Sequence, residues 1–505
     1  MDNIKEIIST LSNSDRNEFR KFLARQKKFT NRKDLELFDQ LSSEKVISLP
    51  TRKKSGKQKA DAYHALRKRL AEQLADFIVL KNIEEDVSGR GKVMGMISLC
   101  RYLFNVEMPD TAWKYLRKAE KYAEEVANYE LLISVYLLMA EYAHLNPDLS
   151  LKHLEIKIAK CRRQLEEEGK LTLATAVIRK KLEETKHSVK HSEFPDFVEQ
   201  TLTRFGLTNT ILEKPAHLYR LLEIVRSTYL AMRSLKNFEP FMMEQFQKYE
   251  KNSKPEKQNH FYHLNMLYMV AHVLYRTRKF NQSKKYLNQL QQSLNLYNKQ
   301  FFAHFYPKYI SLISSIESLS GKNQIAIQLH EETLKQKKWR INTSDELNMQ
   351  LNLAFFYFNA GDYKKANRIF VNMDHSDKWY EKKMGKEWVI RKELIRVTVQ
   401  YELGNEDISL AIIKSIRKEY SDLLKHPQYA KADSFIKFIE LYIRDPYSVT
   451  FNEFRKKAEK ELFDIPVEAE ESKAIAFYCW LKSKLTGKNY YETLLEEVKA
   501  SSDLV

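Results

Sequence analysis

The residues best spaced for chemistry are His187 and His191, four apart, a spacing that sets two metal ligands on one helix face. Ser188 and Val189 follow His187 where an H-E-x-x-H helix would carry a carboxylate, and Pro195 marks a helix end nearby, so the pair reads as surface histidines. Ser88-Gly89-Arg90-Gly91-Lys92 has the composition of a phosphate-cradling loop. It lacks the G-x-x-x-x-G-K-[ST] spacing and no strand precedes it, so it reads as a flexible linker. The acidic runs Glu84-Glu85-Asp86, Glu166-Glu167-Glu168 and Glu468-Ala469-Glu470-Glu471 read as helix ends or solvated faces. Catalytic carboxylates need a pocket that perturbs them, and helical faces of this kind offer none. Phe301, Phe302, Phe305, Tyr306 and Tyr309 have helical spacing and read as core packing, with a groove-lining platform for a peptide as the sharper alternative. No nucleophile–base pair, metal set or cofactor motif can be assembled, and no catalytic, cofactor or metal residue is assigned.

The most uneven charge lies in residues 45–69, where Lys45, Arg52, Lys53, Lys54, Lys57, Lys59, Arg67, Lys68 and Arg69 face a single acid, Asp61. One reading is an anion-binding site for RNA, DNA or an acidic protein surface. The other is a solvated loop and helix start, since only Tyr63 is present for base stacking.

The elements that must position these residues are helices. Two interleaved ladders of helix breakers cut the chain: Pro109, Pro147, Pro195, Pro240, Gly321, Gly361, Gly404, Pro446 and Gly487, and between them Gly169, Pro215, Pro255, Asn298, Asn342, Gly385, Pro427 and Pro466. The polar turn Arg276-Thr277-Arg278 fills the long gap in the first ladder. Proline cannot continue a helix and glycine favours the position just past its end. Segments of roughly 20 residues result, each with room for one helix. From Leu410, Ile412, Ile413, Ile416, Tyr420, Leu423 and Leu424 recur at three-and-four spacing, one helical face. Thr343-Ser344-Asp345-Glu346 has capping-box spacing before Leu347. A helix pair recurring about every 42 residues is the signature of an α-solenoid.

One unit is sharp enough to name. Leu353, Ala354, Tyr357, Gly361, Tyr363, Ala366 and Phe370 resemble the tetratricopeptide pattern, in which small residues let paired helices approach and aromatics fill the gap between them. Ala271, Leu274, Phe280 and Leu287 resemble it less well, with Ser283 in the small position; Gly321 with Ala326, and Ala112 with Leu116 and Ala119, are partial matches. The whole chain is similar to large bacterial helical-repeat proteins that begin with a short helical head. The resemblance implies an all-α fold of about ten TPR-like helical hairpins and no particular activity. The expected organisation is a helical head over 1–88, a Gly-containing linker over 89–96 and the solenoid over 97–505. Within the head, helices are expected around Ile4–Leu11, Ser14–Gln26, Leu35–Leu41 and about Lys59–Leu80.

Composition agrees. Apolar residues make up 43% of the 505, enough for a packed core, and only 11 Gly and 11 Pro are present, too few for a turn-rich sheet protein. Cys100, Cys161 and Cys479 are odd in number and far apart, so neither a zinc site nor a disulfide framework is expected and a reducing compartment fits. No secretory signal is read at Met1-Asp2-Asn3-Ile4-Lys5, and no apolar stretch is long enough to span a membrane. The expected location is the cytoplasm. The net charge of +18 makes contact with nucleic acid, the ribosome or an anionic surface physically easy, although Lys-rich solvated faces produce the same figure. The expected function is a non-catalytic scaffold binding a peptide or another protein on the solenoid surface, with RNA or ribosome association through the basic head as the alternative.

Overall fold

Residues placed three and four apart on apolar faces, with few breakers, fold here into helices throughout. The structure, a computed structural model, describes residues 3–8, 10–26, 33–42, 57–86, 89–125, 128–184, 194–207, 214–231, 235–252, 256–425, 429–447, 452–463, 472–500 and 502–503. Among these there is no β-strand. The chain forms two compact units, 1–158 with 375–386, and 159–374 with 387–505.

The first unit begins with α1 (Asn3–Ile8), α2 (Asn13–Gln26), α3 (Lys33–Ser42) and α4 (Lys57–Glu85). Phe19, Phe38, Leu70, Leu74 and Phe77 meet at its core. There follow α5 (Arg90–Asn105), α6 (Pro109–Glu125), α7 (Tyr129–Glu141) and the first turns of α8 (Leu151–Glu184). Residues 89–96 are therefore no linker: Arg90 already opens a helix. Gly89 takes a left-handed φ of 76°, and a Cβ on Gly91 would stand 3.0 Å from Ile83 Cα. The two glycines allow a tight corner between α4 and α5 instead of slack between domains. The boundary between the compact units falls inside α8, at Ile158 and Ala159.

The second unit continues with α9 (Phe194–Arg204), α10 (Pro215–Ala231), α11 (Leu235–Asn252), α12 (His260–Arg276), α13 (Phe280–Leu294), α14 (Phe302–Leu319), α15 (Asn323–Lys335), α16 (Thr343–Asn359) and α17 (Tyr363–Val371). A short helix, α18 (Asp377–Met384), belongs to the first unit, where Trp379 Nε1 donates to the Leu11 carbonyl at 3.1 Å. The second unit resumes with α19 (Lys386–Glu402), α20 (Glu406–Glu419), α21 (Ser421–Leu424), α22 (Ala430–Arg444), α23 (Asn452–Ala458), α24 (Ser472–Thr486) and α25 (Tyr490–Ala500). From α12 to α16 each helix packs on the next, and α12, α14 and α16 also pack on one another in turn.

Five hairpins share one construction. Cys100 and Ala112, Ala271 and Ser283, Ser314 and Ala326, Ala354 and Ala366, and Val397 and Ser409 are pairs twelve apart, and all ten residues are 0% exposed. Ser283 Oγ donates to the Ala271 carbonyl at 2.7 Å and Ser409 Oγ to that of Val397 at 3.1 Å, so the small side chains meet across the pair. Seven residues after the first member stands a left-handed residue: Glu107, Arg278, Gly321, Gly361 and Gly404. The next amide then bonds back to the helix, as Met108 to Leu103, Lys279 to Leu274, Lys322 to Glu317, Asp362 to Tyr357 and Asn405 to Gln400, at 2.8–2.9 Å. This is the six-to-one bond that closes a helix end through a left-handed residue.

Leu353, Ala354, Tyr357, Ala366 and Phe370 are buried where α16 meets α17. The cap of α16 is Asn342, one residue ahead of the expected Thr343, and its side chain accepts from the Asp345 amide at 2.9 Å. Two of the expected breakers do not break: Gly169 lies inside α8 and Pro240 inside α11. A glycine costs a helix only about 1 kcal/mol, which 34 continuous residues of α8 absorb. A Cβ on Gly361 would meet nothing within 4 Å, so Gly361→Ala isolates the left-handed penalty. It should lower the free energy of unfolding by about 1 kcal/mol. Urea denaturation measures it, and an unchanged midpoint would contradict the turn geometry.

Candidate functional site

Helices that pack in sequence present the same face side by side, so polar residues repeated at one register position converge. In the second unit a cleft of about 230 Å³ opens across α12, α14, α16 and α19. From α12 it receives Tyr268, His272, Tyr275 and Arg276, and from α14 Lys308, Ser311 and Ser315. α16 adds Asp345, Asn348 and Asn352, and α19 adds Arg391. Within each helix these positions step by three or four, with Tyr275 and Arg276 standing three and four after His272, so they share one face. Lys308, Asn348 and Arg391 hold one register position in three successive hairpins, six residues ahead of Ser314, Ala354 and Val397.

The lining is cationic: Arg276, Lys308 and Arg391 against the carboxylate of Asp345. Burial lowers the Lys308 ammonium from its ordinary value, with Asp345 opposing the shift. Burial likewise raises the Asp345 carboxyl, against Lys308 and the Asn342 side chain that donates to it. Lys308 Nζ lies 2.9 Å from His304 Nε2. Burial, and then the Lys308 charge, hold His304 down at about 4, so its neutral imidazole accepts from the ammonium at neutral pH. Tyr268 is pushed up to about 12 by burial and then by Asp345, which keeps its hydroxyl protonated. Trp388 Nε1 donates to Asn348 Oδ1 at 3.0 Å and fixes that carboxamide between α16 and α19. The positions are set by helices, which makes the arrangement preorganised. A partly buried cation that lacks full hydration gains most from an anionic ligand, because the ligand restores what burial removed.

The basic residues picked from sequence fall elsewhere. Arg52, Lys53 and Lys54 lie outside the described residues, as do His187 and His191. Lys57 and Lys59 open α4, on which Arg67 is half-buried and Lys68 and Arg69 are exposed. That helix belongs to the other compact unit from the cleft. In the aromatic run, Phe301, Phe305 and Tyr309 are buried, while Phe302 and Tyr306 pack edge-on against Trp339. Burial pushes the Cys100 thiol up to about 11 and that of Cys479 to about 12, so both stay protonated at neutral pH. Among the described residues no group of three or more His, Cys, Asp or Glu could hold a metal ion, and no helix is long and apolar enough to cross a membrane.

Sequence reasoning missed the cleft. Its residues are single polar positions scattered over more than a hundred residues, with no local enrichment to mark them. The one available signal was the register: aligning Ser314, Ala354 and Val397 brings Lys308, Asn348 and Arg391 into one column. Compared with known proteins, the chain matches no family model, no curated protein and no solved structure.

Proposed function

We propose that this chain is a TPR-like α-solenoid scaffold, non-catalytic, that docks an acidic stretch of a partner protein in the cleft across α12, α14, α16 and α19. The convergence of Arg276, Lys308 and Arg391 from three helices onto one opening carries the reading. The five hairpins of common construction, each with a small-residue pair twelve apart and a left-handed turn, support the repeat assignment. Three buried, unbridged cysteines support a reducing, cytoplasmic setting. A second reading, RNA or ribosome association through the head, draws on the exposed Lys68 and Arg69 of α4.

An affinity pull-down from native cell extract separates the two. It compares the intact chain with Arg276, Lys308 and Arg391 changed to Gln, and with Arg52, Lys53, Lys54, Lys57 and Lys59 changed to Gln, at low and moderate salt. The scaffold reading expects a defined set of proteins that survives moderate salt and the head substitutions and is lost with the cleft substitutions. Ribosomal or RNA-rich material lost with salt or with the head substitutions would put the second reading first.

A further inference from the structure

Helix α5 is apolar on two sides. Its inner face buries Val93, Met96, Ile97, Leu103 and Phe104, yet Met94, Leu99, Tyr102 and, just past its end, Val106 and Met108 are exposed. A helix packed on one face normally turns polar groups to water on the other. Leu99, Tyr102 and Val106 step by three and four, so they form one outward stripe. Between Arg90 and Asn105 the helix has no Asp or Glu, while Lys92 and Arg101 are exposed. The second helix of the hairpin, α6, exposes Lys114, Arg117, Lys118 and Lys121 on the side opposite its buried Ala112, Leu116 and Ala119. None of these four cations is paired among the described residues. Of the α6 carboxylates, Glu120 pairs with Lys157 and Glu124 accepts from the Tyr136 hydroxyl; the exposed acids Glu107 and Asp110 sit at the turn. Lys92 Nζ donates to Tyr122 Oη at 3.2 Å and stands 4.4 Å from the centre of its ring, which joins the two helices along one edge.

We propose that the α5–α6 hairpin docks on the surface of an anionic phospholipid bilayer, resting on it without crossing it. Met94, Leu99, Tyr102 and Val106 enter the boundary between headgroups and acyl chains, and the α6 cations meet lipid phosphates at the ends of their flexible stems. Charge complementarity calls for an anionic occupant, and the exposed side chains decide which one. A nucleic acid would stack on Tyr102 but gains nothing from Met94, Leu99 and Val106, which have no ring to offer a base. Met94, Met108 and Tyr102 stand 56%, 49% and 61% exposed, so they protrude. A folded partner needs a close-packed hole for each protruding side chain, whereas a fluid bilayer yields around them. The hairpin lies in the first compact unit and the cleft in the second, so the inference stands apart from the cleft reading.

Vesicle co-sedimentation with the full-length protein tests it, on phosphatidylcholine vesicles with and without about one-third phosphatidylglycerol. The anionic vesicles are expected to retain the protein at least about tenfold better than the neutral ones. Met94→Ser with Tyr102→Ser, and separately Lys114, Arg117, Lys118 and Lys121 changed to Gln, should each weaken that retention about tenfold. Changing Arg52, Lys53, Lys54, Lys57 and Lys59 to Gln should leave most of it. No retention of the unaltered protein on anionic vesicles would overturn the proposal, as would full retention of either hairpin variant or loss with the head substitutions alone. Retention on immobilised polyuridylate but not on vesicles would overturn it in favour of nucleic acid. A second readout does not depend on how the multiple variants fold: an environment-sensitive dye is coupled to the thiol of Met94→Cys. Its emission should shift to the blue on anionic vesicles and stay put on neutral ones. Unchanged emission on vesicles that retain the protein would place the membrane contact elsewhere and overturn the hairpin assignment.

Discussion

Changing Arg276, Lys308 and Arg391 together to Gln should weaken binding of an acidic peptide pool at least a hundredfold while moving the thermal midpoint by only a few degrees. Hydrogen bonds to charged groups contribute about 1.5–3 kcal/mol each, so losing two or three of them exceeds the 2.7 kcal/mol equivalent to a hundredfold. Folding gains little from the Lys308 charge, which burial lowers from its ordinary value. Arg276, Lys308 and Arg391 line one cleft, where like charges repel. Binding sites commonly give up stability in this way. Arg391→Lys should recover only part of the affinity, because an ammonium cannot grip a carboxylate with two parallel bonds. Titration calorimetry with differential scanning measures both quantities. A large fall in midpoint with an unchanged affinity would make the three cations structural.

Acid should destabilise the second unit steeply below neutrality. His217 and His263 are 3% and 7% exposed. Burial, reinforced by Lys214 and Arg220 around His217 and by His260 beside His263, holds both at about 4. Tyr249 Oη lies 3.3 Å from His263 Nδ1, a contact that suits a neutral ring. In the unfolded chain both titrate near 6.5. The unfolded state therefore takes up protons that the folded state refuses as pH falls from 6.5 toward 4. Stability is full above the unfolded value and is lost through that window. Between pH 7 and pH 5 each histidine should contribute a loss of about 2 kcal/mol. Thermal unfolding at the two pH values measures the sum, and His263→Gln should remove that residue's share of the slope. A midpoint flat across the window would mean that these rings are charged or hydrated in the fold.

Much of the architecture could be read before any coordinates, because helix ends are marked locally. Gly321, Gly361, Gly404 and Gly487 all sit where positive φ is required. Arg278 and Glu107 take the same conformation with a full side chain, so the turns were visible but their common register was not. The linker expected over 89–96 failed for a related reason. A glycine that permits close helix crossing, as Gly91 does against Ile83, looks in sequence like one that permits flexibility. The return of Trp379 to Leu11 spans 368 positions and leaves no local trace. The cleft was hidden for the opposite reason to the basic head. Charges adjacent in sequence, as at Arg52-Lys53-Lys54, catch the eye, whereas Lys308 and Arg391 become neighbours only once the hairpins stack.

The docking claim is tested most directly by photo-crosslinking from within the cleft. A benzophenone amino acid is placed at Ser311, which faces the opening from α14, and in a second protein at Lys68 on α4. Each is irradiated in native cell extract. A discrete protein adduct from the Ser311 position, suppressed by excess unlabelled chain and by the Arg276, Lys308 and Arg391 substitutions, is the predicted result. Adducts formed only from Lys68, or formed at Ser311 regardless of those substitutions, would contradict it.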